Sequence, residues 1–575
     1  MLKQLANVAA HEFISWAGFR AIKVCFMADQ QEKETRGYHN NQEIIQLEGP
    51  TETAPLVIEA SESIGNNMAA SGDESKVQLE NKTQNISTGS NGSFGPPPQY
   101  EPHAQYKLYP IRYLMLVALM VLNLSNGIMW LSYSPVPSLT ASYYGVGLSE
   151  VDWFSNSYFI ASLIVGFFSI FVLDVFGLRT AVIIGTVCNL LGAVLRYLST
   201  IDPIICSDSK AGFITAIIGQ VITAFAQPFF LYAPAKLANT WFGAKERGLC
   251  TDLASVANPL GIAVAQIVSP YIVTDVQKLP TMLWVYIIPA GVGALLSFSF
   301  IYRSSPPIPP TASGDTPNLP FVKGLKSAFK NVNFWVLLTT YGVGAGVFNA
   351  VLIIIPQYVC PYGYSNKAAG LWGSLLIIFG VIGATLSGLL ISRTRLYKEI
   401  GMICLSCTIL TLIGFVEVST IEHIPVALAV LLSVTGFFAI GFLPVAMELG
   451  VEVTFPAAEA TSSGLLWSSA QIFGFLFVTV GQLISPVIDS NTLSYNECQV
   501  SLPNSNETMS LCDGRRSNYT LTDNAKPQNW TNCGLLLVGM ATFAFLVFVL
   551  FFRRDYKRTQ YEEKIKNGEA GTNNN

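Results

Sequence analysis

Asn126, Trp130 and Tyr133 follow one another at i, i+4 and i+7, so in a helix they share one face. An indole face attracts a cation through its quadrupole, worth about 2 kcal/mol once both are desolvated. For an ammonium with no proton to donate it is the strongest uncharged partner a protein offers, which makes Trp130 the first candidate for holding an organic cation. Carboxamides suited to a solute hydroxyl are Gln227, just before Pro228, then Asn258, and Gln471 one turn beyond Trp467. Tyr133 and Asn349 complete the candidate substrate-binding set. Tryptophan and tyrosine also collect at membrane interfaces and amides also bond helix to helix, so it is the recurrence of such residues on several helices that favours a site. Enzyme chemistry lacks its parts: no paired carboxylates, nucleophile triad or phosphate-cradling loop stands out, and no enzyme activity is read. Of the four His, three (His11, His39 and His103) fall in the N-terminal stretch and His423 in a short connection. They offer no ligand pair within the helices, which weighs against a tightly ligated haem, and no metal or cofactor is expected.

The elements that must position these residues are twelve apolar stretches, at 111–133, 153–173, 181–198, 213–232, 253–272, 283–301, 334–355, 371–391, 402–418, 426–448, 465–484 and 535–552. Each approaches the roughly 20 residues that cross a bilayer as helix, the form in which every backbone polar group is bonded internally. Composition agrees, with 51% hydrophobic and only 12% charged residues and a mean hydropathy of +0.43. The expectation is an all-α membrane protein. The net charge of −4 is uninformative in a membrane protein, and with no basic helix or aromatic-interleaved patch nucleic acid is not expected as a partner.

Twelve crossings return both ends to one side. Lys245, Arg247, Arg303, Lys323, Lys326, Lys330, Arg393, Arg395, Lys398, Arg553 and Arg554 lie on that side, so both termini are expected in the cytoplasm. The opposite side carries an outer loop, 485–532, with acceptor tripeptides for N-glycosylation at Asn506, Asn518 and Asn529. Cys498 and Cys512, with Cys533 just beyond, are disulfide candidates; three is odd, so one either pairs with Cys206 or Cys360 or stays free. Residues 1–109 form a polar tail expected to be mostly disordered, although 1–27 carries a loose apolar face that could lie on a membrane surface. Within the tail, Pro97, Pro98 and Tyr100 fit the ligand of a WW domain. The remaining boundaries are a six-helix half at 110–303, a Pro-rich linker at 304–332, a second half at 333–553 and a C-terminal tail at 554–575.

An internal repeat supports those halves. Laying 242–261 on 455–474 pairs Phe242 with Phe455, Glu246 with Glu459, Ser255 with Ser468, Asn258 with Gln471 and Gly261 with Gly474. Helices five and eleven therefore correspond, as in a transporter built from two parallel six-helix repeats with its site between them. Asp174, Asp252, Glu417, Glu448, Glu452 and Glu459 all fall near span ends. With no acid read at mid-membrane, the chain is expected to move its solute down a gradient without proton coupling.

Asp174, Gly177 and Arg179, in the run Leu173-Asp174-Val175-Phe176-Gly177-Leu178-Arg179, resemble the loop signature of the major facilitator superfamily, although Thr180 and Ala181 stand where a second basic residue is expected. Three further segments resemble the feline leukaemia virus subgroup C receptor-related family, solute carrier family 49: 129–134, 234–243, and 461–474. The resemblance covers 106–552 and implies the major facilitator fold, alternating access, and a small organic solute such as choline or a related amine, with haem also associated with the family. It implies that Trp130, Gln227 and Gln471 occupy the family's cation-binding positions. Asn349 replaces the aromatic residue the family carries on its seventh helix, leaving an aromatic cage one wall short. A vitamin-like planar solute therefore stands as an alternative, as does a membrane receptor or scaffold without transport. The membrane expected is the plasma membrane, with an endolysosomal membrane as the alternative.

Overall fold

The computed structural model describes residues 107–201, 209–243, 246–308, 310, 325–326, 328–421, 423–455, 459–488, 528–554 and 556–560. Twelve of its helices are long and apolar enough to cross a membrane. In chain order they are α1 (Ile111–Leu131), α3 (Leu148–Val175), α4 (Gly177–Leu198), α5 (Ser209–Trp241), α6 (Arg247–Ile272), α7 (Leu279–Phe300), α8 (Val332–Val359), α9 (Asn366–Thr394), α10 (Tyr397–Val418), α11 (Pro425–Thr454), α12 (Glu459–Ile484) and α13 (Thr531–Phe551). A short helix, α2 (Pro137–Tyr144), joins α1 to α3. The sequence gives no apolar period there, and α2 forms because Pro137 sets its first turn while Gly145, at φ 64°, closes it. The tail side below denotes the end where α1 begins, and the loop side the end where it finishes.

Most membrane helices run several residues past their apolar cores, since polar ends continue a helix once it is nucleated. The largest consequence is at α3, which starts at Leu148 rather than 153 and so takes Asp152 inside the helix. Caps fix other ends: Ser365 accepts from the Ala368 N–H at 3.3 Å and Asn331 from the Asn333 N–H at 3.0 Å.

Within the first half α1 packs on α6 and α7, and α4 on α5; within the second, α8 packs on α12 and α9 on α11. Small residues set these approaches. A Cβ on Gly261 would lie 2.0 Å from the Leu124 carbonyl oxygen, and one on Gly127 2.3 Å from that of Asn258, so α1 and α6 meet backbone to backbone. The halves meet through α3 with α12 and α6 with α9.

Prolines inside the helices leave carbonyls without an i+4 donor, and side-chain amides take two of them. Pro234 frees the Phe230 carbonyl, which accepts from Asn123 Nδ2 at 3.1 Å. Pro356 frees that of Leu352, which accepts from Gln266 Nε2 of the other half at 3.1 Å.

Candidate substrate site

Trp130 stands in the last turn of α1 with its indole against α3. Its Nε1–H donates to the Ser155 carbonyl at 3.4 Å, Tyr158 stacks on it at a centroid distance of 6.3 Å, and Phe159 meets it edge-on at 5.7 Å. The end of α1 is secured from behind: Gln220 Nε2 donates to the carbonyls of Met129 at 3.2 Å, Trp130 at 3.4 Å and Phe154 at 3.1 Å. The indole therefore has little freedom to turn.

Phe159 carries this cluster to the second half. Gly474 of α12 packs so closely on it that a Cβ would stand 2.9 Å from the ring. One turn before Gly474 is Gln471, 8% exposed, whose carboxamide makes no hydrogen bond among the described residues. Its amide is not among the fully buried unpaired polar groups, so it is open to bond a solute or water.

The other candidates separate. Gln227 is buried, and its Oε1 accepts from Ser162 Oγ at 2.5 Å, while one turn earlier Tyr158 donates to Thr223 at 2.8 Å. The matched step of four on two parallel helices fixes α3, and with it Phe159, against α5. Asn258 donates to the Asn123 carbonyl at 3.2 Å and so bonds α6 to α1. Asn126 likewise donates to Asn189 Oδ1 and to the Thr223 carbonyl. Tyr133 lies apart from the Trp130 cluster, stacked on Phe154 at 4.1 Å with the Arg196 guanidinium 4.7 Å from its own ring. Asn349 on α8 is half-buried and makes no hydrogen bond among the described residues. Phe159 thus links the Trp130 cluster to α12 at Gly474, one turn after Gln471, whereas Tyr133 and Asn258 are engaged elsewhere.

Sequence reasoning missed three buried charges, Arg112, Arg196 and Asp152. Arg196, at the end of α4, donates to the Met129 carbonyl, to Met129 Sδ and to Ser132 Oγ; no carboxylate pairs with it among the described residues. Asp152 is 3% exposed and accepts from Gln357 Nε2 of α8 at 2.7 Å and from Gln482 Nε2 of α12. The expectation that acids fall at span ends omitted Asp152, because the apolar run was started one residue after it. Placing the helix start after Gly147 would have revealed an acid inside the span. The two amide bonds tie α3 to the opposite half, and three more cross nearby: Ser134 to the Ile353 carbonyl at 2.8 Å, Gln266 to Leu352, and Ser374 to Ala263 at 2.7 Å. All five lie toward the loop side, which is closed in this conformation.

On the tail side Asp174 pairs with Lys236 of α5 at 3.2 Å. Gly177 has φ 83°, and a Cβ there would strike Ser304. Arg112 and Glu246 form a buried ion pair at 3.3 Å joining α1 to the start of α6. Of the disulfide candidates, Cys533 is a free thiol, buried at the start of α13 against Gly481, so one of the three does stay free. Cys360 is disulfide-bonded. Asn529 is exposed, with its Oδ1 accepting from the Thr531 N–H of its own tripeptide. Cys498, Cys512, Asn506, Asn518, Pro97, Pro98 and Tyr100 lie outside the described residues.

Residues 118–478 match the model of the Major Facilitator Superfamily. A relative from Xenopus tropicalis, solute carrier family 49 member A3, is 32% identical over 455 residues, 79% of this chain and 89% of its own. The chain belongs to solute carrier family 49 of the Major Facilitator Superfamily. The human choline/ethanolamine transporter FLVCR2 is 30% identical over 387 residues, covering 65% of this family 49 chain and 72% of that one. Among solved structures, a bacterial homologue of the lysosomal transporter Spinster aligns with TM-score 0.55 at 14% identity, over 80% of this chain and 99% of that one. The nucleoside transporter NupG gives TM-score 0.53 at 13% identity, over 77% and 100%. These likenesses show the fold. Family 49 membership makes the chain a multi-pass membrane transporter and not an enzyme.

Proposed function

We propose that this protein moves a small organic cation of the choline class across the membrane by alternating access, as a facilitative uniporter with both termini in the cytoplasm. The observation that carries the reading is the Trp130 aromatic cluster, on which the second half closes where Gly474 meets Phe159, one turn after the unbonded Gln471 amide. An indole face suits an ammonium and a free amide suits a hydroxyl, the two groups that choline presents. Relatives named as choline/ethanolamine transporters support the same class. The five loop-side hydrogen bonds then hold one of the two access states, and rocking of the halves exchanges them for a state open on that side. In this reading the buried Asp152 serves the loop-side closure through Gln357 and Gln482 rather than carrying a proton, which is what makes the transport uniport.

The test is uptake and efflux of labelled choline in proteoliposomes, with and without a pH gradient. Flux down the choline gradient, unchanged by the pH gradient and lost in Trp130→Ala, supports the reading; absence of any choline flux from a well-folded protein ends it. A second reading, a neutral planar solute, draws on Arg196 and Asn349. A guanidinium without a carboxylate partner beside the end of α1 disfavours a cation, and Asn349 stands where the family carries a second aromatic wall. Competition of choline flux by uncharged vitamin-like compounds separates the two. A receptor or scaffold without transport would show no solute-dependent signal in either assay. Glycosylation at Asn529 on the outer face follows from the same orientation.

A further inference from the structure

A cavity of about 540 Å³ on the tail side is lined by Arg179 and Thr180 at the start of α4 and by Tyr302, Arg303, Ser304, Ser305, Pro306 and Pro307 after α7. Its floor is built: Ser304 Oγ accepts from the Arg179 N–H at 3.2 Å, the Ser304 carbonyl accepts from Trp241 Nε1 at 3.3 Å, and Gly177 lets the α3–α4 turn close over Ser304.

The charge in this cavity is uncompensated. Neither Arg179 nor Arg303 has a carboxylate partner among the described residues, and Asp174 is committed to Lys236 at 3.2 Å. The two guanidinium groups beside the hydroxyls of Tyr302 and Ser305 form a positively charged donor set suited to phosphate oxygens, while the Thr180 hydroxyl is spent on the Phe176 carbonyl.

Two apolar stripes run out of the cavity. On α4, Val187 and Leu191 follow Thr180 at i+7 and i+11; on α7, Phe298 and Leu295 precede Tyr302 at i−4 and i−7. All four are exposed, Leu295 by 68%. The two helices touch between the stripes, where Thr186 and Ser297 share a hydrogen bond of 3.1 Å. A free phosphate or a phosphopeptide has no use for such stripes, whereas a lipid has. We propose that the cavity binds the phosphate-bearing headgroup of an anionic phospholipid from the tail-side leaflet, its acyl chains lying along the α4 and α7 stripes.

The experiment is native mass spectrometry of the full-length protein after exchange into phosphatidylcholine, with or without phosphatidylserine or a phosphorylated phosphatidylinositol, and with soluble inositol phosphate as competitor. The expected result is one retained anionic lipid per protein, with retention falling about thirtyfold in R179Q/R303Q at about fivefold per lost arginine. Lys278→Gln, a loop-side charge change, leaves retention unchanged. R179K/R303K keeps most of it, which distinguishes loss of charge from loss of fold. Equal retention in R179Q/R303Q and the parent protein overturns the proposal, as does an equal loss in the Lys and Gln pairs. Inositol phosphate binding as tightly as the intact lipid also overturns it, because the stripes would then contribute nothing.

Discussion

The two halves use equivalent positions differently, and the difference builds the site. In α1, Trp130 follows the packing glycine Gly127 by three residues; in α8, Asn349 follows Gly346 by three, and Gly346 likewise admits a neighbouring helix, with a Cβ there only 2.7 Å from Phe473. One half therefore places a buried, stacked indole where the other places a half-buried amide without a hydrogen bond. The repeat pairs Asn258 with Gln471 in the same way. Asn258 is spent on the Asn123 carbonyl of its own half, whereas Gln471 is left unbonded one turn from Gly474, which faces Phe159 of the opposite half. Two copies of one plan thus leave different groups, a stacked indole in the first and an unbonded amide in the second.

The strongest test of that asymmetry exchanges the glycines. Gly261→Leu should abolish folded protein, since its Cβ would lie 2.0 Å from the Leu124 carbonyl oxygen and backbone has nowhere to move. Gly474→Leu meets an aromatic side chain instead, and should give folded protein with reduced flux, read by fluorescence-detected size exclusion alongside uptake. Equal behaviour of the two variants would remove the distinction between a structural and a functional face.

Next in size is Trp130→Ala, which should weaken choline binding roughly thirtyfold, the equivalent of about 2 kcal/mol, with surface expression retained. Uptake kinetics with surface biotinylation measure both. A smaller effect separates the paired amides. Asn258→Ala should lower thermal stability by about 1 kcal/mol, because it leaves the Asn123 carbonyl without that donor. Gln471→Ala should leave stability unchanged and raise KM about fivefold, since the lost bond is to the solute. A thermal-shift assay beside flux kinetics decides between them, and a Tm drop in Gln471→Ala would show that its amide serves the fold. The smallest is a gain: Asn349→Trp should restore a second aromatic wall and tighten choline binding about threefold, from about 0.5–1 kcal/mol for a partly exposed cation–π contact.

Much of this was legible in the residues. Apolar runs long enough to span a bilayer admit only helices, because lipid offers no partner for backbone groups, and the glutamates, amides and glycines matched between helices five and eleven disclosed the duplication. Trp130 and Gln471 could be nominated because an aromatic and an amide inside apolar helices are conspicuous. Asp152 was missed because polar residues that begin a helix do not belong to its apolar run. Phe159 was missed because one phenylalanine among many carries no local signal.

The sequence by itself determined the solvent, the helices and the duplicated plan, since these rest on hydrophobicity and periodicity, which are local properties of the chain. Only the tertiary structure decided which amides were consumed by a neighbour's carbonyl and which stayed free, and which side of the bundle was closed. Those outcomes depend on approaches of a few ångströms between helices far apart in the chain, such as Gln266 meeting the carbonyl that Pro356 leaves unbonded.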